Sequence, residues 1–228
     1  MKTILCFGDS NTWGYIPEKD RADSDIVERY PLDVRWPGML QTLLGSEYYV
    51  VEDGLSGRTT AFNDVIGKYR DGAKYLGECL TANKPVDLLI MMLGSNDTKR
   101  RFLVSSQGIA KGIEKLIRVA RSGGVTRSSG FGPGGEQPKI LIISPVRIRE
   151  EILDSFLKLE FDQNSIQKSQ ELAELYFNIA RRRHCYYMNA AVYAEASEID
   201  GLHIDAENHR KIAEAVAVKV LEIFEGSS

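Results

Sequence analysis

The chain has few of the residues that several kinds of chemistry require. Its 228 residues include only three cysteines and three histidines. Cys6, Cys79 and Cys185 form no CxxC pair, and no histidine sits near them at ligand spacing, which speaks against a thiolate metal site. An odd number of cysteines, each in an apolar or helical context, reads as reduced, buried thiols of a cytoplasmic protein. No apolar run approaches the roughly 18 residues of a membrane span. Asp9 interrupts the first apolar run, Ile4 to Phe7, before the core of a secretory leader could form. Charge of neither sign is in excess: 29 basic against 32 acidic residues give a net charge of -3. Nothing in that balance favours nucleic acid or an anionic membrane as a partner. There is no repeat at solenoid period, no GxGxxG and no Walker pattern.

What is present is a regular alternation. Thr3 to Phe7, Tyr48 to Val51, Asp87 to Leu93 and Lys139 to Ser144 are short apolar runs, with a weaker fifth run at Cys185 to Met188. Runs without polar alternation suit strands covered on both faces. Helical patterns lie between them, at Trp36 to Leu44, Ile109 to Ala120 and Gln163 to Arg182. A last helix follows Asp205 as N-cap and ends at Gly226. This order predicts a single α/β domain over residues 1–228 with a mostly parallel sheet. The stretch from Arg121 to Pro138, rich in Gly and Ser, reads as a loop within that domain.

In open α/β sheets, ligands bind beyond the carboxyl ends of the strands. Small and polar residues follow the apolar runs here: Gly8-Asp9-Ser10-Asn11, Gly54-Leu55-Ser56-Gly57-Arg58, Gly94-Ser95-Asn96-Asp97, and Asp200 three residues before His203. Serine hydrolysis needs a nucleophile, a base, an acid that orients the base, and donors for the oxyanion. Ser10, His203 and Asp200 are the candidates for the first three. The backbone N–H groups of Ser10 and Gly57 and the amide of Asn96 are candidates for the oxyanion hole. Of the other histidines, His184 reads as solvated and His209 as a surface or partly packed residue. Asp205 is a rival orienting acid, better used as the helix cap. Asp97 reads as structural.

The blocks "FGDSNTWG", "GLSGRTT", "LGSND" and "DGLH" resemble, in order, the four signature blocks of the GDSL-type SGNH hydrolases. The likeness runs essentially end to end and is strongest to a branch of short bacterial arylesterases and acyltransferases. The general pattern has Leu where Asn11 follows the serine, a change that leaves the catalytic atoms in place but alters the packing of the loop. The resemblance implies a flavodoxin-like three-layer α/β/α sandwich with a five-stranded parallel sheet. It also implies ester hydrolysis through an acyl-serine without metal or organic cofactor.

The substrate expected from the resemblance is a small acetyl-type ester of an aryl or alkyl alcohol, with acyl transfer or perhydrolysis as a side activity. Sugar acetylesters, lysophospholipids and thioesters are the rivals within the family. A non-catalytic flavodoxin-like binding module is the rival from another class, but it has no need of Asn96 or His203. Trp13 is a candidate wall of the substrate pocket. Lys99 to Val104 and Arg147 to Phe161 are expected at the entrance, with apolar residues of the second packing on the domain or on another subunit of a homo-oligomer.

Overall fold

The computed structural model describes residues 1–18, 20, 28–122 and 130–226. Positions 123–129 of the Gly/Ser-rich stretch lie outside the described residues. Five strands form one sheet: β1 (Lys2–Gly8), β2 (Tyr48–Gly54), β3 (Leu88–Met92), β4 (Lys139–Ser144) and β5 (Tyr186–Asn189). Their order is β2-β1-β3-β4-β5, and every neighbouring pair is parallel. This is the flavodoxin-like arrangement that the resemblance implied. Among the described residues, no helix is long and apolar enough to cross a membrane.

The strands read as apolar runs because helices cover the sheet on both sides. One face, with Ile4, Cys6, Leu88, Ile90, Leu141 and Ile143, packs on α2 (Trp36–Leu44) and α6 (Ala206–Glu225). The other face, with Leu5, Phe7, Leu89, Met91, Ile140 and Ile142, packs on α3 (Gly72–Ala82), α4 (Ser106–Arg121) and α5 (Gln163–Arg182). Successive residues of a strand point to opposite faces, so each run supplies both layers at once. Each such side chain removed from water contributes about 1.5–3 kcal/mol before the entropy of ordering is counted.

Helix ends follow their caps. Asp205 accepts from the Asn208 N–H at 2.9 Å and starts α6 as expected. Ser105 accepts from the Gly108 N–H at 3.2 Å, so α4 begins three residues earlier than its apolar stripe. The sequence pattern missed α3 altogether. Asp71 caps it, but Gly72 and Gly77 weaken the pattern and only Leu76 and Leu80 bury large apolar side chains.

Two expectations need correction. His209 is fully buried, because the Asp205 cap turns this position of α6 inward: its Nδ1 accepts from the Trp36 N–H at 3.3 Å and its ring meets Tyr30 edge-on at 5.4 Å. Burial lowers its pKa to about 3, so it is neutral. Of the cysteines only Cys6 is buried; Cys79 and Cys185 are partly exposed, on α3 and just before β5.

A short helix, α1 (Ser10–Trp13), joins the end of β1 to the rest. It lies so close to the end of β2 that a Cβ on Gly54 would sit 2.2 Å from the Trp13 backbone N. Gly54→Ala is therefore expected to displace α1 and lower the urea midpoint. A wild-type midpoint would show that the contact yields freely.

Candidate active site

The carboxyl ends of β1, β2 and β3, and the loop ahead of α6, converge on one edge of the sheet. Ser10 begins α1, where Asp9 accepts from the Asn11 N–H at 3.0 Å and fixes the turn. Across that edge, the Ser10 hydroxyl lies 3.0 Å from His203 Nε2. His203 Nδ1 lies 2.6 Å from one oxygen of Asp200. The other Asp200 oxygen accepts from the backbone N–H groups of Leu202 and His203, both at 2.9 Å. A carboxylate that only accepts requires the proton on Nδ1, which leaves Nε2 to accept from the serine hydroxyl. Gly201 makes this short loop possible: its φ is +71°, and a Cβ there would meet the Ile152 backbone N at 2.3 Å.

Asn11 holds the two loops together. Its side-chain amide donates to the Leu202 carbonyl at 3.2 Å, and its oxygen accepts from the Ile204 N–H at 3.0 Å. The two bonds flank His203 and are ones that a leucine at this position cannot make. Tyr15 adds a second restraint, stacking on the His203 ring with centroids 4.1 Å apart and planes 18° apart.

Gly57 and Asn96 line the same cavity as Ser10 and His203. Arg58 sets the Gly57 loop: its guanidinium donates to the carbonyls of Gly8 at 3.0 Å and Asp53 at 2.5 Å, pairs with the Asp53 carboxylate, and lies over Phe7. One N–H of the Asn96 amide goes to the Arg58 carbonyl at 3.2 Å, and the second is left for the cavity. Asp97 accepts from the N–H and hydroxyl of Thr60, joining the loops that follow β2 and β3. Burial holds the thiols in their less reactive form: it pushes Cys79 up to about 12, Cys6 well above its ordinary value and Cys185 above it as well.

Trp13 does not line this cavity. Its ring lies 5.0 Å from the Arg29 guanidinium and 6.5 Å from the ring of Tyr15. Tyr15, two residues on, takes the place on the wall that Trp13 was expected to fill, a displacement that spacing alone could not reveal. Of the segment from Arg147 to Phe161, expected at the entrance, only its last part, from Phe156, lines the cavity. Phe156, Leu157, Leu159 and Phe161 face the cavity, while Ile148, Ile152, Leu157 and Phe161 pack with Ile166 and Leu202 of the same chain. Of the segment Lys99 to Val104, Lys99 reaches the cavity, which has a volume of about 430 Å³.

An all-parallel α/β/α sandwich with a Ser-His-Asp chain at its carboxyl edge defines a class of serine acyl hydrolase. The family is fixed by likeness as well as by geometry. Residues 6–211 match the GDSL-like Lipase/Acylhydrolase family, and the chain belongs to it. Its fold matches the aryl esterase of M. smegmatis with a TM-score of 0.84 at 36% identity, covering 96% of this chain and 98% of that one. It matches a carbohydrate acetylesterase from Sinorhizobium meliloti with a TM-score of 0.85 at 33% identity, covering 98% and 100%. An acetylxylan esterase of Xylanibacter ruminicola is 24% identical over 225 residues, and the chain spans 42% of the length of that relative. The domain is a carboxylic ester hydrolase by class.

Two acids beside the site are held against their ordinary titration. Burial raises Asp9 to about 6, against the pull of the Asn11 N–H, His203 and Arg58. Burial raises Asp97 to about 7 despite the Thr60 donors, and the nearby Asp9 charge adds to the rise. Between about pH 4 and 7 the folded chain therefore keeps protons that the unfolded chain has released. Their stabilising contribution is complete below pH 4 and is lost as pH rises to 7. Urea midpoints measured from pH 4.5 to 7.5 should fall less steeply in Asp97→Asn than in wild type. Equal slopes would contradict the assignment.

Proposed function

We propose that the chain hydrolyses small acyl esters through an acyl-Ser10 intermediate. The observation that carries this reading is the unbroken chain from the Ser10 hydroxyl through His203 to Asp200, at 3.0 and 2.6 Å. His203 Nε2 takes the serine proton as Ser10 Oγ attacks the ester carbonyl. Asp200 holds the resulting imidazolium in orientation. The carbonyl oxygen, now negative, is received by the N–H groups of Ser10 and Gly57 and the free N–H of Asn96. Collapse of the tetrahedral adduct breaks the bond to the alcohol, which leaves with the proton from His203. Water, deprotonated by the same imidazole, then releases the acid and restores Ser10. An alcohol competes with water for the acyl group where the cavity is dry.

The apolar wall of Phe156, Leu157 and Phe161 excludes water from the reacting atoms and accommodates the apolar part of the ester. Aryl and simple alkyl acetates fit this cavity, and the likeness to an aryl esterase supports them. Acetylated sugars are the second reading, favoured by the acetylesterase relatives. The three cysteines are free thiols, which supports a cytoplasmic site of action.

Kinetics on 4-nitrophenyl acetate test the roles. Ser10→Ala is expected to abolish turnover. Asn96→Ala is expected to lower kcat by about 100- to 1,000-fold, the typical effect of removing one oxyanion donor, with a circular dichroism spectrum like that of wild type. Full activity in Asn96→Ala removes that residue from the oxyanion hole, and activity in Ser10→Ala removes the acyl-serine route.

A further inference from the structure

Besides its apolar wall, the cavity has a cationic one. Arg70, Lys99 and Glu160 line it together with Ser10 and Gly57. Lys99 Nζ lies 2.5 Å from Glu160, and Arg101 binds both Glu160 and Asp64 at 2.7 Å, so Lys99 and Arg101 are occupied by carboxylates. Arg70 is held differently. Its Nη1 donates to Asp64 at 3.1 Å, its only side-chain hydrogen bond among the described residues. Its Nε and Nη2 make none among the described residues.

The guanidinium lies close against the backbone of two glycines. A Cβ on Gly57 would lie 2.7 Å from Arg70 Nε, and one on Gly67 would lie 2.2 Å from both Nε and Cζ. Any other residue at either position would displace it. The network carries three cations, Arg70, Lys99 and Arg101, against two carboxylates, Asp64 and Glu160. The surplus positive charge is on the wall that borders the Gly57 loop. A guanidinium whose Nε and Nη2 are both unused, beside one surplus charge, is matched to a planar anion, which it binds through paired N–H groups.

We propose that Arg70 binds a carboxylate carried by the substrate, so that the preferred substrates are esters bearing a second, ionised carboxyl group. The inference rests on the reading of Ser10 as the site of ester hydrolysis. The carboxylate belongs either to the acyl group, as in a half-ester of a dicarboxylic acid, or to the alcohol, as in an acetylated hydroxy acid. Glu160 does not repel it, because Lys99 and Arg101 offset its charge.

Two matched pairs of esters distinguish these sources. Mono-4-nitrophenyl adipate is compared with its methyl ester for the acyl side, and 3-acetoxybenzoate with methyl 3-acetoxybenzoate for the alcohol side. At low ionic strength wild type is expected to favour the ionised member of one pair in kcat/KM, and that pair identifies the side carrying the anion. Arg70→Gln is expected to lower the ionised-to-neutral ratio roughly 10- to 100-fold, as for loss of a charge-assisted bond. Arg70→Lys, which keeps the charge without the fork, should retain part of the ratio. If Arg70→Gln does not fold, the wild-type preference and its decline with added salt decide the matter.

A wild-type enzyme with no preference in either pair overturns the proposal. So does a loss in Arg70→Gln that is equal for both members, since that outcome makes Arg70 a support for Gly57 alone. Hydrolysis that survives in Ser10→Ala, or is absent from wild type on every ester, refutes the underlying esterase reading instead.

Discussion

Ser10 and His203 stand 193 positions apart in the chain, yet a 3.0 Å hydrogen bond joins their side chains. Holding that distance is the constraint around which the site is arranged. Asp200 meets it from one side, using one oxygen for the imidazole and the other for the two backbone N–H groups of its own turn. Asn11 meets it from the other, clamping the loop through Leu202 and Ile204. Tyr15 closes the face of the ring. The imidazole is thus fixed by its partner atom, its loop and its plane before any substrate arrives, which is the preorganisation that acyl transfer demands.

The sheet makes such a meeting possible. Parallel strands end on one edge, so the loops after β1, β2 and β3 are neighbours despite their separation in sequence. The cost lies in burying polar groups there. Asp9 and Asp97 are almost wholly removed from water and titrate near neutrality, while Arg58 is buried against Phe7 to secure the Gly57 loop. Stability given up at such groups is offset by the two apolar layers on either face of the sheet.

The strands were legible in the sequence because cover on both faces leaves them no polar alternation. β3, with every residue buried, is the clearest case. Three of the four motif blocks were legible because they follow β1, β2 and β3 directly, and the fourth because it precedes the Asp205 cap of α6. What escaped depends on contacts between distant segments. Tyr15, beyond the left-handed Gly14 that ends α1, faces the cavity in place of Trp13. His209, read as a surface or partly packed residue, is fully buried because α2 packs on it. Arg70 lies between motif blocks and gains meaning only from Gly57 and Gly67 folded around it. The helix α3 was hidden by its own glycines, which weaken helix propensity where packing supplies what the local pattern lacks.

The central claim is that Ser10 carries the acyl group during turnover. The direct measurement is peptide mass spectrometry of protein quenched in acid during turnover of 4-nitrophenyl acetate. One acetyl group is expected on the Ser10 peptide of the wild type and none on that peptide in Ser10→Ala. An acetyl group at another residue that turns over at the rate of catalysis, with Ser10 unmodified, would contradict the account.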